Sequence, residues 1–247
     1  MDDPGYLKYR TAISECLNKD SMGNFKCNPI YTAILEHVCQ YHGINYYNLI
    51  KREFSLSDDV ILNFCKLNDS IGTPTKYVIP GLNERVSPTS LRYIYHTCLI
   101  LNYICSLNLS SVNIVEVGGG YGGLALCMNY FNTNNIIKSY TCIDLPEARQ
   151  LQTAYLSKFS VNFPLQFVDS STYGSDVEGE NLFLISNYCF SEISSLHRKG
   201  YSDTLIPKVK HGFMVWNEDN MHNFGKTLVR VEDERPLTGT PNKFVYF

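Results

Sequence analysis

From Val112 onward the chain alternates between two hydrophobic rhythms. Val112 to Val117 is a short β-branched run, apolar on both faces, as in a strand buried inside a parallel sheet. Residues 121–130 then carry Leu124, Leu126, Cys127 and Tyr130 at helical spacing. The alternation continues. Strands are predicted over Ser139 to Asp144, Pro164 to Asp169, Asn181 to Asn187 and His211 to Asn217. Helices are predicted over Glu147 to Phe159, opened by Pro146, and from Ser191 through Tyr201 to Val209. Two β-rich runs, Thr227–Glu232 and Lys243–Phe247, flank Pro236 and Gly239 and read as an antiparallel pair. The expected class is therefore α/β, a doubly wound Rossmann-like sheet with a closing antiparallel hairpin.

Upstream the period is helical throughout, so an α-helical N-terminal lobe is expected to precede the sheet. Tyr6 to Leu17 is one predicted helix. Asn28-Pro29 supplies an N-cap and a first-turn proline for a second, expected to run past Ile34, Leu35 and Val38 and end near His42-Gly43. Asn45 to Phe54 reads as a further short helix, and Ser57-Asp58-Asp59 caps another that holds Val60, Ile61, Phe64 and Leu67. Residues 70–87 contain Gly72, Pro74, Pro80 and Gly81 and predict an irregular connection of the length that serves as a lid. Ser87-Pro88 opens a strong helix reaching Ser106. The expected division is a helical lobe with lid loop over 1–87 and a sheet domain over 88–247. The lobe is expected to pack on the sheet domain or to pair two chains as a homodimer.

Composition narrows the class. A 247-residue chain that is 44% hydrophobic can bury a substantial core. A net charge of −3 argues against nucleic-acid partners, which favour a basic face. No apolar run approaches a membrane span, and Met-Asp-Asp-Pro does not read as a signal peptide. The nine cysteines contain no C-x-x-C spacing and mostly sit in apolar runs, which suits thiols of a reducing compartment rather than metal ligands or disulfides. A cytoplasmic protein without membrane, metal or nucleic acid is expected.

The chemistry centres on Val112 to Gly123. A strand runs into Gly118-Gly119-Gly120-Tyr121-Gly122-Gly123 and then a helix start, a turn that lets a ligand approach the backbone and the helix N-terminus. Gly118, Gly120 and Gly123 satisfy the dinucleotide spacing G-x-G-x-x-G, while Glu116, Gly118, Gly120 and Gly122 satisfy E-x-G-x-G-x-G. Asp144 ends the next strand about twenty residues on, where a ribose-binding carboxylate is expected. Glu116, Asp144, Asp169, Asn187 and Asn217 all fall at or near strand C-termini, the ligand-binding edge of such sheets. The Tyr-x-x-x-Lys pair expected downstream in a short-chain nicotinamide enzyme occurs only at Tyr47–Lys51, upstream of the glycines. An NAD(P)-dependent oxidoreductase or epimerase is thus the alternative reading, and a non-catalytic subunit of the same fold another.

Together these runs resemble a known family. Glu116-Val-Gly-Gly-Gly-Tyr-Gly-Gly is similar to motif I of the class I S-adenosylmethionine (AdoMet)-dependent methyltransferases, whose sixth and seventh strands form a closing hairpin. With Ile143-Asp144-Leu145-Pro146-Glu147, Ser186 to Glu192 and Ser90 to His96, residues 70–220 resemble the sugar O-methyltransferase family. The resemblance implies AdoMet as cofactor and a hydroxyl of a sugar or sugar nucleotide as methyl acceptor. It implies that Glu116 receives the ammonium, directly or through water, and that Gly118, Gly120 and Gly122 give close approach. Asp144 would hold the ribose hydroxyls and Leu145 would pack on adenine. Asp169 and Ser170 would lie at the adenine amino group, with Asn187 at the end of the fourth strand. Arg92 would meet the AdoMet carboxylate, with Tyr93 beside it. The base that takes the acceptor proton is expected among Glu192, His222 and His96. Lys76, Arg85, Arg198 and Lys199 are candidate partners for the phosphates of a nucleotide sugar.

Overall fold

The computed structural model describes residues 4–18, 22, 24–219 and 221–247. Five parallel strands carry the alternation read in the sequence: β1 Val112–Val117, β2 Ile137–Asp144, β3 Leu165–Asp169, β4 Leu182–Asn187 and β5 His211–Trp216. The hairpin strands β6 Arg230–Asp233 and β7 Lys243–Tyr246 complete a seven-stranded sheet in the order β3-β2-β1-β4-β5-β7-β6. Only β7 runs against its neighbours, with Phe213 opposite Tyr246 and Trp216 opposite Lys243. The order reverses at β1, between β2 and β4, so the glycine turn lies at the switch point where ligands bind.

Strand alternation divides the interior in two. Val112, Ile114, Tyr140, Cys142, Phe183, Ile185, Phe213 and Val215 face one core, and Val115, Val117, Ile143, Leu184, Met214 and Trp216 the other. The first core is covered by α1 Pro4–Asn18, α2 Pro29–Ile34, α3 Gln40–Phe54, α4 Asp58–Asn68, α5 Pro88–Ser106, α6 Gly123–Phe131 and α7 Pro146–Leu156. The second is covered by α8 Cys189–Glu192, α9 Ser195–Thr204 and the short turn Ile206–Lys208. The N-terminal helices therefore share a single core with the sheet.

Two expectations change here. Asn28 does cap α2, accepting from the N–H groups of Ile30 and Tyr31, but the helix stops at Ile34. A new helix starts at Gln40 and runs straight through Gly43 to Phe54. Gly43 is a packing glycine rather than a helix terminus: a Cβ there would lie 3.1 Å from Ile79 and 3.2 Å from Pro88. Residues 70–87 fold into a small antiparallel ribbon, Tyr77–Val78 with Arg85–Val86, and none of them reaches the cavity described next. Among the described residues no helix is long and apolar enough to cross a membrane.

Candidate active site

A cavity of about 730 Å³ opens at the C-terminal ends of β1, β2 and β4, within the usual size of small-molecule sites. Gly118 and Gly120 form its floor. Their φ angles of +82° and +58° lie in the left-handed region, where a side chain is strained. A Cβ on Gly118 would fall 2.3 Å from that of Cys189. Gly122 serves a different purpose from the one expected: its missing Cβ makes room for Leu156, and it does not line the cavity.

Glu116 is placed beneath the turn, not on the cavity wall. It is buried, accepts the Tyr140 hydroxyl at 2.9 Å, and burial pushes its carboxyl up to about 7. Tyr93 likewise packs under the turn, edge-on to Tyr121. Asp144 does reach the cavity. One oxygen accepts the Leu145 N–H at 2.8 Å and the other the Gln152 amide at 2.9 Å, yet burial still raises its carboxyl to about 6. Leu145 and Ser170 line the same side. Asp169 does not: it accepts from Ser171, its N–H at 2.9 Å, and then from Arg149 at 2.9 Å, and these keep its carboxyl below the ordinary range.

Arg92 and Asn187 close the other side. Arg92 is 4% exposed and donates one terminal nitrogen to the Leu35 carbonyl at 2.8 Å, while its other terminal nitrogen has no protein partner. The Asn187 carbonyl oxygen is similarly buried and unpartnered. Both residues line the cavity. A buried donor and a buried acceptor left open beside a glycine cradle fit a ligand with a carboxylate and with N–H or O–H groups. AdoMet has these groups, so the residues present fit it.

Of the three expected bases, only Glu192 reaches this cavity. It accepts a short hydrogen bond from the Asn217 amide, whose carbonyl accepts from Ser191 Oγ. Partial burial, with Glu218 nearby, raises its carboxyl. His96 lies behind the wall, 3.3 Å from the Asn187 amide nitrogen and edge-on to Phe244. Burial, with Arg92 adding to it, drives its pKa far down, so it stays neutral and inaccessible. His222 sits in a neighbouring hollow, 3.6 Å from Glu218. The structure thus brings neither histidine into the cavity.

Several wall residues carried no sequence signal: Tyr6 and Tyr9 of α1, Leu35 and His37 between α2 and α3, and Thr238 to Thr240 in the β6–β7 turn. Tyr188 lies in the Ser186 to Glu192 run but had no role of its own there. Its φ of +68° is rare for an aromatic residue and marks a constrained turn after β4, where its ring lies 5.5 Å from the Arg92 guanidinium.

Comparison with solved structures finds partial similarity at low identity. A SAM-dependent methyltransferase from Aquifex aeolicus aligns at 13% identity and TM-score 0.46, covering 59% of this chain and 87% of its own. An S-adenosylmethionine-dependent methyltransferase from Clostridium acetobutylicum aligns at 15% and 0.39, covering 49% of each chain. PKMT2 from Rickettsia typhi, solved in complex with AdoHcy, aligns at 17% and 0.37, covering 45% of this chain and 22% of its own. No family model and no curated protein matches the sequence. The strand order, with an antiparallel β7 inserted between β5 and β6, decides the fold. It is that of a class I methyltransferase. A sheet of the nicotinamide-binding type would continue in parallel at that edge.

Among the described residues no group of three or more His, Cys, Asp or Glu side chains is arranged to hold a metal ion.

Proposed function

We propose that this chain is an AdoMet-dependent O-methyltransferase acting on a hydroxyl of a sugar, with catalysis at Glu192. The supporting observation is the pairing, in one cavity, of a glycine cradle flanked by Asp144 and Arg92 with a further carboxylate, Glu192, whose proton affinity is raised.

Bound AdoMet supplies an electrophilic methyl group on a sulfonium centre. Asp144 would accept the ribose hydroxyls, a role in which two carboxylate oxygens can take two donors. The open Arg92 nitrogen would meet the carboxylate of the methionine part. Glu116 sits under the turn, 2.8 Å from where a Cβ on Gly119 would be, so any effect it has on the ammonium group would pass through the turn and not through a wall contact. Glu192 would take the proton of the acceptor hydroxyl, and AdoMet, when bound, would supply the methyl group to that oxygen. Asn217 fixes the Glu192 carboxylate for that transfer. Tyr6, Tyr9 and Tyr201 give the cavity aromatic walls that exclude water and suit the faces of sugar rings.

The decisive experiment compares AdoHcy with NAD and NADP in thermal unfolding, followed by methyl transfer from AdoMet to a panel of sugars. Stabilisation by AdoHcy and not by the nicotinamides is expected. Stabilisation by NAD instead would replace this reading with an oxidoreductase, and AdoHcy binding without any turnover would make the chain a non-catalytic subunit.

A further inference from the structure

Resting on the function proposed above, and narrowing it, we infer that the methyl acceptor is a phosphate-free sugar, such as a glycoside or glycan end, and not a nucleotide diphosphate sugar.

Among the described lining residues Arg92 is the sole lysine or arginine, and one of its terminal nitrogens is taken by the Leu35 carbonyl. None of the other candidate lysines and arginines lines the cavity or the hollow beside it. Arg85 donates to the Lys76 carbonyl on the small ribbon. Arg198 is bound to the Ser191 carbonyl and lies 3.5 Å from Glu218, and Lys199 pairs with Asp203. His37, exposed at its edge, has a ring nitrogen 3.1 Å from the Ile34 carbonyl, and desolvation and then Arg92 lower its pKa to about 4.

The acceptor end is instead rich in oxygen. Glu192 lies there, and a second hollow of about 400 Å³ shares Asn217 and Thr240 with the cavity and adds Glu218 and Asp219. The amides at this end already serve carboxylates: Asn217 gives an N–H to Glu192 and Asn242 one to Glu234, while the Thr238 hydroxyl also donates to Glu234. Sugar hydroxyls bring the donors such a wall lacks. Phosphate oxygens only accept, and would meet Glu192 and Asp219 beside Glu218, which Arg198 only partly offsets at 3.5 Å.

Titration calorimetry on the AdoHcy-loaded protein tests this. The probes are UDP-glucose, UDP-galactose and dTDP-rhamnose, each against its methyl glycoside, with free UDP alongside. At least one glycoside is expected to bind as tightly as its nucleotide partner, or more tightly, with no heat from UDP. Tenfold tighter binding of any nucleotide sugar, or binding of UDP itself, overturns the inference. So does AdoHcy binding with no glycoside binding. Failure of AdoHcy to bind would instead remove the methyltransferase reading.

Discussion

Arg10 meets Glu147 through two N–H···O bonds of 2.9 Å each, one from Nε and one from a terminal nitrogen. The pair ties α1 to the first turn of α7, two residues beyond the cavity-lining Leu145. Because α1 also puts Tyr6 and Tyr9 on the cavity wall, the bridge acts as a latch for that wall. The arginine side chain is 34% exposed and the glutamate 19%, so solvent screening holds the contribution to about 0.5–1 kcal/mol. Arg10→Ala should weaken AdoHcy binding roughly two- to fivefold by calorimetry. The exchanged pair, Arg10→Glu with Glu147→Arg, should recover most of that loss. A silent single substitution would show that α1 sits there independently of the bridge.

The buried carboxylates give the site a pH signature. Burial raises Glu116 to about 7 and Asp144 to about 6. The folded state then holds these protons more tightly than the unfolded chain. The stability they contribute is complete at acid pH and is lost as pH rises through about 6 to 7. A ligand that requires ionised Asp144 pulls the other way and binds better as pH rises. The thermal shift caused by AdoHcy should therefore grow between pH 5 and about 7.5 while these two groups lower the stability of the free protein. Asp144→Ala should remove both its share of the slope and the binding itself, about 100-fold or more if two charge-assisted hydrogen bonds are lost. Unchanged AdoHcy affinity in that variant would end the ribose assignment.

What the sequence disclosed depended on how local the signal was. β1 needed only its β-branched run and the glycines after it, and the structure starts and ends that strand at the expected residues. Asp144 and Asn187 were legible because strand ends define the binding edge. The cavity wall from α1 and from residues 33–37 was not legible, because it depends on contacts such as Arg10–Glu147 that join residues far apart in sequence. Gly43 misled for the same reason: its neighbours Ile79 and Pro88 are unknown until the chain folds. His96 and His222 had suitable chemistry, but a sequence reading does not show that one lies behind Asn187 and the other in the hollow next door.

Gly118 is constrained twice, and the two constraints separate experimentally. A side chain at φ +82° costs about 1–2 kcal/mol, and the Cβ would also overlap Cys189. Gly118→Ala alone should lower the melting temperature and block the cradle. Adding Cys189→Gly removes the overlap but not the backbone strain, so it should recover part of the stability. Thermal unfolding of the two variants reads both components. Full recovery would mean that the turn tolerates a side chain and that only Cys189 excludes one.

Glu192 and His96 can be told apart by what their loss does to turnover. Glu192→Gln preserves size and an oxygen that can face Asn217, but it cannot take a proton. It should lower kcat by about 10²–10⁴-fold and remove the acidic limb of the pH–rate profile, with AdoHcy affinity unchanged. That limb should lie above the ordinary glutamate range, because burial and then Glu218 raise the Glu192 carboxyl, with Asn217 opposing them. His96→Gln keeps a polar partner for Asn187 in a buried aromatic setting. As a positioning change it should move kcat by no more than about threefold and leave the shape of the profile intact. A lost limb in His96→Gln, with full activity in Glu192→Gln, would transfer the base to the histidine and require the Asn187 wall to open during turnover.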